Sequence, residues 1–353
     1  MAMKKKTLFS FIALLLVVSN AFSQTYITQV KVAGQKKWGY ATLSGELIIP
    51  ARFEKCYKFS SEGLAAIYDT DVRQYYFINT KGEKLSTEIS GFKLIDGFGF
   101  DLEGFTNGLA PVKNGELWGF LNSQGKLSIP AKYDHVVEFN GGFAVAKSGD
   151  KYIVLNTKGE ESPVDIAGVA DVNHFSEGLA PFRTADKKFG FVDTHGKVAI
   201  QAQFKSVGFF SNGMAWAKSE TGILGFLNKK GEWVIKPQFD AGKDFDLESG
   251  MARVKKEDKW GYVNKQGDMM HVDDTDLWGD FSNGLASGRK NSLVGFFDKK
   301  GEWVIKPQFE AVRDFKNGYA AAKKDDKWGV IDKTGNWVMQ PTYDGIKDME
   351  LVK

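Results

Sequence analysis

The eleven residues Lys229-Lys-Gly-Glu-Trp-Val-Ile-Lys-Pro-Gln-Phe239 occur a second time, letter for letter, at Lys299–Phe309. In both places an acid and an alanine follow, Asp240-Ala241 and Glu310-Ala311. Identity over such a length inside one chain means duplication, and duplication decides the fold before local propensity does. The glycine of this stretch recurs at Gly45, Gly82, Gly125, Gly159, Gly196, Gly231, Gly267, Gly301 and Gly335, in steps of 34 to 43 residues. Nine copies therefore fill residues 24–353. One continuous array replaces the two or three domains that this length would otherwise suggest.

Working outward from the glycine, each copy reads the same way. Seven residues upstream stands an aromatic-Gly-aromatic triplet: Trp38-Gly-Tyr40, Trp118-Gly-Phe120, Phe189-Gly-Phe191, Trp260-Gly-Tyr262. Trp328-Gly-Val330, Leu224-Gly-Phe226 and Val294-Gly-Phe296 keep the glycine, whereas copies two and four carry Tyr75-Tyr76 and Tyr152-Ile153. Between triplet and glycine runs Asn/Asp-x-x-Gly, from Asn79 to Asp332, with Thr42 replacing it in copy one. Asn or Asp at the first position and Gly at the fourth is a type I turn preference, and apolar β-formers on both sides make it a hairpin.

A second strand follows, such as Trp233-Val-Ile235, and ends at Pro237 or its equivalents Pro50, Pro130, Pro307 and Pro341, where ladder donation stops. An aromatic then leads into Phe-x-x-Gly-Leu-Ala, as in Phe105–Ala110, Phe175–Ala180 and Phe281–Ala286. Each unit thus holds about three short strands, and no segment shows a 3.6-residue apolar period. Copies two, four and seven lack the Pro-x-Phe segment, and copy two carries about nine extra residues around the Gly-rich Ile95–Phe100. Insertions in repeat arrays usually map to one face, often the binding one.

These elements, Trp-Gly-Tyr/Phe, Asn/Asp-x-x-Gly, Val-Ile-x-Pro-x-Phe and Phe-x-x-Gly-Leu-Ala, resemble the WG (KWG) repeat of bacterial exported proteins over roughly residues 25–349. The resemblance implies an all-β tandem array with an interaction role and no catalytic residues. One three-stranded unit cannot close a core, so neighbours must stack. We expect an elongated, superhelical stack. A closed toroid or propeller is the alternative: the array begins and ends at nearly the same repeat phase, but usual propeller blades have four strands and number four to eight.

The N-terminus reads as a signal peptide, residues 1–23: Lys4-Lys-Lys6, an apolar run from Leu8 to Val18, and small residues at Ala21 and Ser23 before a cut at Gln24. The run is too short to span a bilayer, and the Phe-Ser-Gln ending resembles exported proteins of Bacteroidetes. The mature chain is thus expected in the periplasm or outside the cell, without a membrane span. The whole chain has 47 Lys+Arg against 44 Asp+Glu. The leader carries three of the lysines and no acid, so the mature chain is formally neutral and offers no footprint for nucleic acid. Cys56 is the single cysteine, which excludes an internal disulfide.

No catalytic, cofactor or metal residues are nominated, and no binding residue can be singled out. His135, His174, His195 and His271 fall at unrelated phases. Asp273-Asp274-x-Asp276 lacks the glycine and distal glutamate of a calcium loop and reads as a solvated acidic loop. The Trp-Gly pairs read as packing elements, since Leu224 and Val294 replace the tryptophan. Trp233, Trp303 and Trp337 recur at one phase, and Trp216 and Trp278, off the pattern, are the better candidates for exposed contacts. The expected function is that of a non-enzymatic, exported scaffold binding an envelope or extracellular protein. A glycan-binding module, suggested by the aromatic richness, is the alternative.

Overall fold

The computed structural model describes residues 25–95, 104–273 and 275–352. The leader and most of the Gly-rich insertion lie outside them, as does Asp274. Locally the chain folds as its turns dictate. Asn228 accepts through Oδ1 from the amides of Lys230 and Glu232 at 2.9 and 3.1 Å, while Gly231 N donates to Asn228 O at 2.9 Å. Gly231 takes φ 80°, open to glycine at no steric cost. The same two side-chain bonds form at Asn79, Asn122, Asn156, Asp193, Asn264, Asp298 and Asp332.

The units become nine antiparallel sheets. The sixth shows the pattern: strands Ser206–Val207, Met214–Lys218, Leu224–Asn228 and Trp233–Phe239, hydrogen-bonded in that order. Sheets four to nine all have four strands, which corrects the expectation of three. The missed strand is the first, only two residues long in four of these sheets, and two residues display no alternation. Sheets two and three have three strands. In sheet two only an Ile78–Lys84 bridge replaces the last strand, and in sheets four and seven the last strand shrinks to Glu161–Pro163 and Met269–Met270. These are the copies lacking Pro-x-Phe.

The core lies between sheets. An aromatic from the triplet meets the Phe of the next unit's Phe-x-x-Gly: Tyr40–Phe59, Phe120–Phe139, Phe191–Phe210, Phe226–Phe245, Tyr262–Phe281 and Phe296–Phe315 have ring centroids 4.6–4.9 Å apart. Such tilted and edge-on pairs add to area burial. Among the described residues the buried side chains form nine clusters, each uniting two successive sheets. An open stack of nine sheets has eight interfaces. The ninth joins last to first: Val330 and Met339 pack with Val30, Ala41, Ile346 and Met349.

Backbone pairing completes this closure. Thr25–Lys31 pairs with Trp38–Thr42 on one side, and on the other with Gly345–Ile346 and Glu350–Val352, so both ends of the array share one five-stranded sheet. The elongated stack is therefore corrected to a nine-bladed propeller arrangement. Equal repeat phase at both ends lets the final half-unit supply the strands that the first unit lacks.

The Trp-Gly glycine has a steric cause. A Cβ on Gly225 would lie 2.5 Å from Ile235 O and 2.8 Å from Pro237 N, because the last strand crosses the face of the third at that point. Gly39, Gly119, Gly190 and Gly329 show the same 2.5 Å approach, and Gly295 one of 2.3 Å. This crossing delivers the chain to the next blade within one residue, from Phe239 to Ala241. The recurring tryptophans pack: Trp233 stands edge-on to Phe204 at 5.6 Å and Trp337 to Phe309 at 5.5 Å, each reaching the preceding blade. Trp303 stands edge-on to Phe297 of its own blade at 5.7 Å. Trp216 and Trp278 are half-buried against the cores too, which corrects their reading as exposed contacts.

Candidate ligand-binding face

The turns joining the first and second strands are fastened to one another around the ring. Ser176 Oγ donates to Phe210 O at 2.7 Å, and Ser211 and Ser282 to Phe245 O and Phe315 O at 2.6 Å. Gly318 N donates to Asn283 Oδ1 at 2.9 Å. Turns between the third and fourth strands share this face, since Lys229 reaches Glu177 of the preceding blade at 3.1 Å. A cleft of about 480 Å³ opens here, lined from blades nine, one, two, three and four. Side chains of five successive blades converge only on the concave side of a ring, so the cleft belongs to the inner rim.

The residue before each interface aromatic marks this rim. Lys58 and Glu138 occupy that position and line the cleft. His174 and Phe209 hold it on blades five and six and stack at 3.9 Å. Four aspartates then hold it in succession: Asp244, Asp280, Asp314 and, before Met349 in place of the aromatic, Asp348. Two arginines brace the row. Arg253 Nε lies 2.8 Å from Asp280 Oδ1, and its guanidinium sits 4.7 Å over the Trp260 ring while donating to Trp278 O. Arg313 pairs with Asp348, and beyond it Lys316 pairs with Glu350 at 2.7 Å.

Asp244 and Asp314 have no ion-pair partner among the described residues, and both are reached by water although protein surrounds them. Burial pushes the Asp244 carboxyl up to about 6. Asp280 adds to the rise, against the opposing Lys243 and Trp216. Burial likewise raises Asp314, with Asp280 and Asp348 adding to it. Between about pH 4 and about pH 6 the folded chain holds a proton at Asp244 that the unfolded chain has released, so stability falls as pH rises through that window. Asp244→Asn removes this loss. We expect it to stabilise the protein by about 1 kcal/mol at pH near 8, after discounting for solvent screening, and by nothing below about pH 4. Urea midpoints of both proteins at the two pH values check this.

The spacing of 36, 34 and 34 residues between these aspartates was readable in the sequence, since they share one repeat phase. The four histidines are not gathered: His135, His174 and His271 belong to blades four, five and seven, and His195 sits in a turn of blade five beside Asp193. Asp276 pairs with Arg289 at 2.9 Å, and Asp273 lies 3.8 Å from His271. Among the described residues no group of His, Cys, Asp or Glu is arranged to hold a metal ion, and no helix is long and apolar enough to cross a membrane.

No curated protein matches the sequence. Among solved structures the chain is similar to AztD from Citrobacter koseri, at 12% identity over 94% of this chain and 99% of that one, with a TM-score of 0.43. It is similar to BamB from Moraxella catarrhalis at 11% identity over 80% and 94%, with a TM-score of 0.42. Likeness at this level carries no argument, and the ring rests on the nine interfaces and the shared sheet. The WG containing repeat matches at residues 38–68, 118–152, 189–220, 225–260, 295–328 and 328–350, together more than half of the chain. These segments span the glycine crossing, the Asn-capped turn and the interface aromatics described above, and the chain belongs to the family of WG-repeat proteins.

Proposed function

We propose that the protein is a non-catalytic binding module of the cell envelope, periplasmic or secreted, that docks another protein through its inner rim. The observation that carries this is the row of four aspartates on successive blades, two of them without an ion-pair partner among the described residues. Like charges held close raise one another's cost of ionisation, and a cationic group placed among them relieves it. Spread over four blades, the row suits several lysines or arginines on one partner surface rather than a single ion. Complementary charge of this kind chiefly sets specificity and association rate. The non-catalytic reading is supported by what the repeated residues do: glycine admits a crossing strand, asparagine caps a turn, and the aromatics fill interfaces.

The test is co-sedimentation of residues 24–353 with isolated cell envelopes. Binding should vanish after the envelopes are treated with protease and weaken as salt rises from about 0.05 to about 0.5 M. The Asp244→Asn/Asp314→Asn variant, which breaks no ion pair, should bind at least about fivefold more weakly. Binding that survives protease treatment, or is indifferent to the double variant, overturns the reading.

A further inference from the structure

The cleft on the inner rim differs from the rest of the ring in one respect. On blades five, six and eight the serine after the interface Phe fastens its turn to the next blade's Phe carbonyl. Ser60 and Thr106 hold that position on blades two and three, yet their hydroxyl oxygens are buried without a hydrogen-bond partner among the described residues. Leaving such a group unpaired costs about 1–3 kcal/mol. Both residues line the cleft, and there the turns are held by amides, Gly108 N donating to Glu62 at 2.7 Å and Gly142 N to Asn107 at 3.1 Å, while the two hydroxyls stay idle. A rotation about χ1 carries either hydroxyl toward a ligand.

The rest of the wall narrows the ligand class. Glu138, Asn140 and the Lys316–Glu350 pair supply further donors and acceptors, and with Lys58 the ionisable side chains of the wall balance to zero among the described residues. A charged ligand gains no net attraction from these four side chains. A cleft of about 480 Å³ is the size of a small-molecule site, far from that of a protein interface. Each hydroxyl of a sugar both donates and accepts, so it can satisfy Ser60 or Thr106 in either sense and pair with amide and carboxylate neighbours. We propose that this cleft is a binding site for a neutral saccharide, with Ser60 and Thr106 as its anchoring hydroxyls. The site is separate from the aspartate row and does not depend on it.

Saturation-transfer NMR on residues 24–353 tests this, with glucose, galactose, mannose and N-acetylglucosamine and their trimers as probes, and trialanine as the peptide control. At least one sugar should receive saturation. Ser60→Ala/Thr106→Val should weaken its binding about tenfold without lowering the melting temperature, because neither hydroxyl has an intramolecular bond to lose. Asn140→Ala, a change at an exposed side chain, should weaken it as well. Ser211→Ala should do the reverse, lowering the melting temperature and leaving sugar binding intact. No saturation of any sugar, saturation of trialanine instead, or undiminished binding by both cleft variants would each overturn the proposal.

Discussion

A chain ending at Asp344 should lose its cooperative unfolding transition, or melt at least about 10 °C lower than the full protein. The nine residues removed contain the two strands that pair with Thr25–Lys31 on the side away from Trp38–Thr42, together with the buried side chains of Ile346, Met349 and Val352. Each such side chain contributes about 1.5–3 kcal/mol by burial. Their loss also uncovers Val30 and Ile27, now 0% and 1% exposed, and removes the packing between blades nine and one. In an open repeat array the result differs: each unit touches only its neighbours, so trimming one end leaves the remainder nearly as stable. Calorimetry on the shortened chain separates the two. A synthetic peptide of residues 345–353, added in excess, should raise its melting temperature by mass action. A shortened chain that melts within about 2 °C of the intact protein would mean that closure contributes little.

The second large effect is expected from a single methyl group. Gly225→Ala should destabilise the protein by about 3–5 kcal/mol, although alanine is neither large nor polar. Its Cβ would meet Ile235 O at 2.5 Å and Pro237 N at 2.8 Å, and both are backbone atoms that cannot swing aside. The last strand of blade six would have to lift from the third, and the adjacent Leu224 and Phe226 are both part of the interface with blade seven. Overpacking and backbone displacement commonly cost 1–3 kcal/mol, and the close backbone contact adds to that. Gly213→Ala supplies the comparison. Gly213 has φ 79° but open space around its Cβ position, so alanine there carries only the left-handed penalty, about 1–2 kcal/mol. Urea denaturation of the two variants gives the ordering, and near-equal costs would sink the crossing-strand account of this glycine.

Much of the fold was legible because it repeats. The glycine spacing gives nine units, and the Asn/Asp-x-x-Gly turns bond as their residue types dictate. What the sequence could not display is anything carried by very short segments or distant pairing. The strand Ser206–Val207 is too brief to alternate, and the pairing of Val30 with Ile346 joins residues more than 300 apart. Equal phase at the two ends was consistent with closure and with an open stack alike. The rim aspartates were visible as a periodic column, but only closure of the ring turns that column inward. The cleft was beyond reach for another reason. Ser60 and Thr106 look like Ser176 and Ser211 in the sequence, and only the folded ring shows which hydroxyls find a carbonyl.

Sharing one sheet between Thr25–Lys31 and Glu350–Val352 has a consequence for how these molecules meet one another. The acceptor strand recognises its partner by backbone register and by a few apolar side chains, and both are identical in every copy of the chain. Tethering the two ends through some 300 residues favours the internal pairing by only a modest entropic margin, because closure entropy grows slowly with loop length. At high protein concentration during refolding, the end strands of one chain therefore compete for the edge of another. The same edges then build domain-swapped dimers or head-to-tail chains of incompletely closed rings.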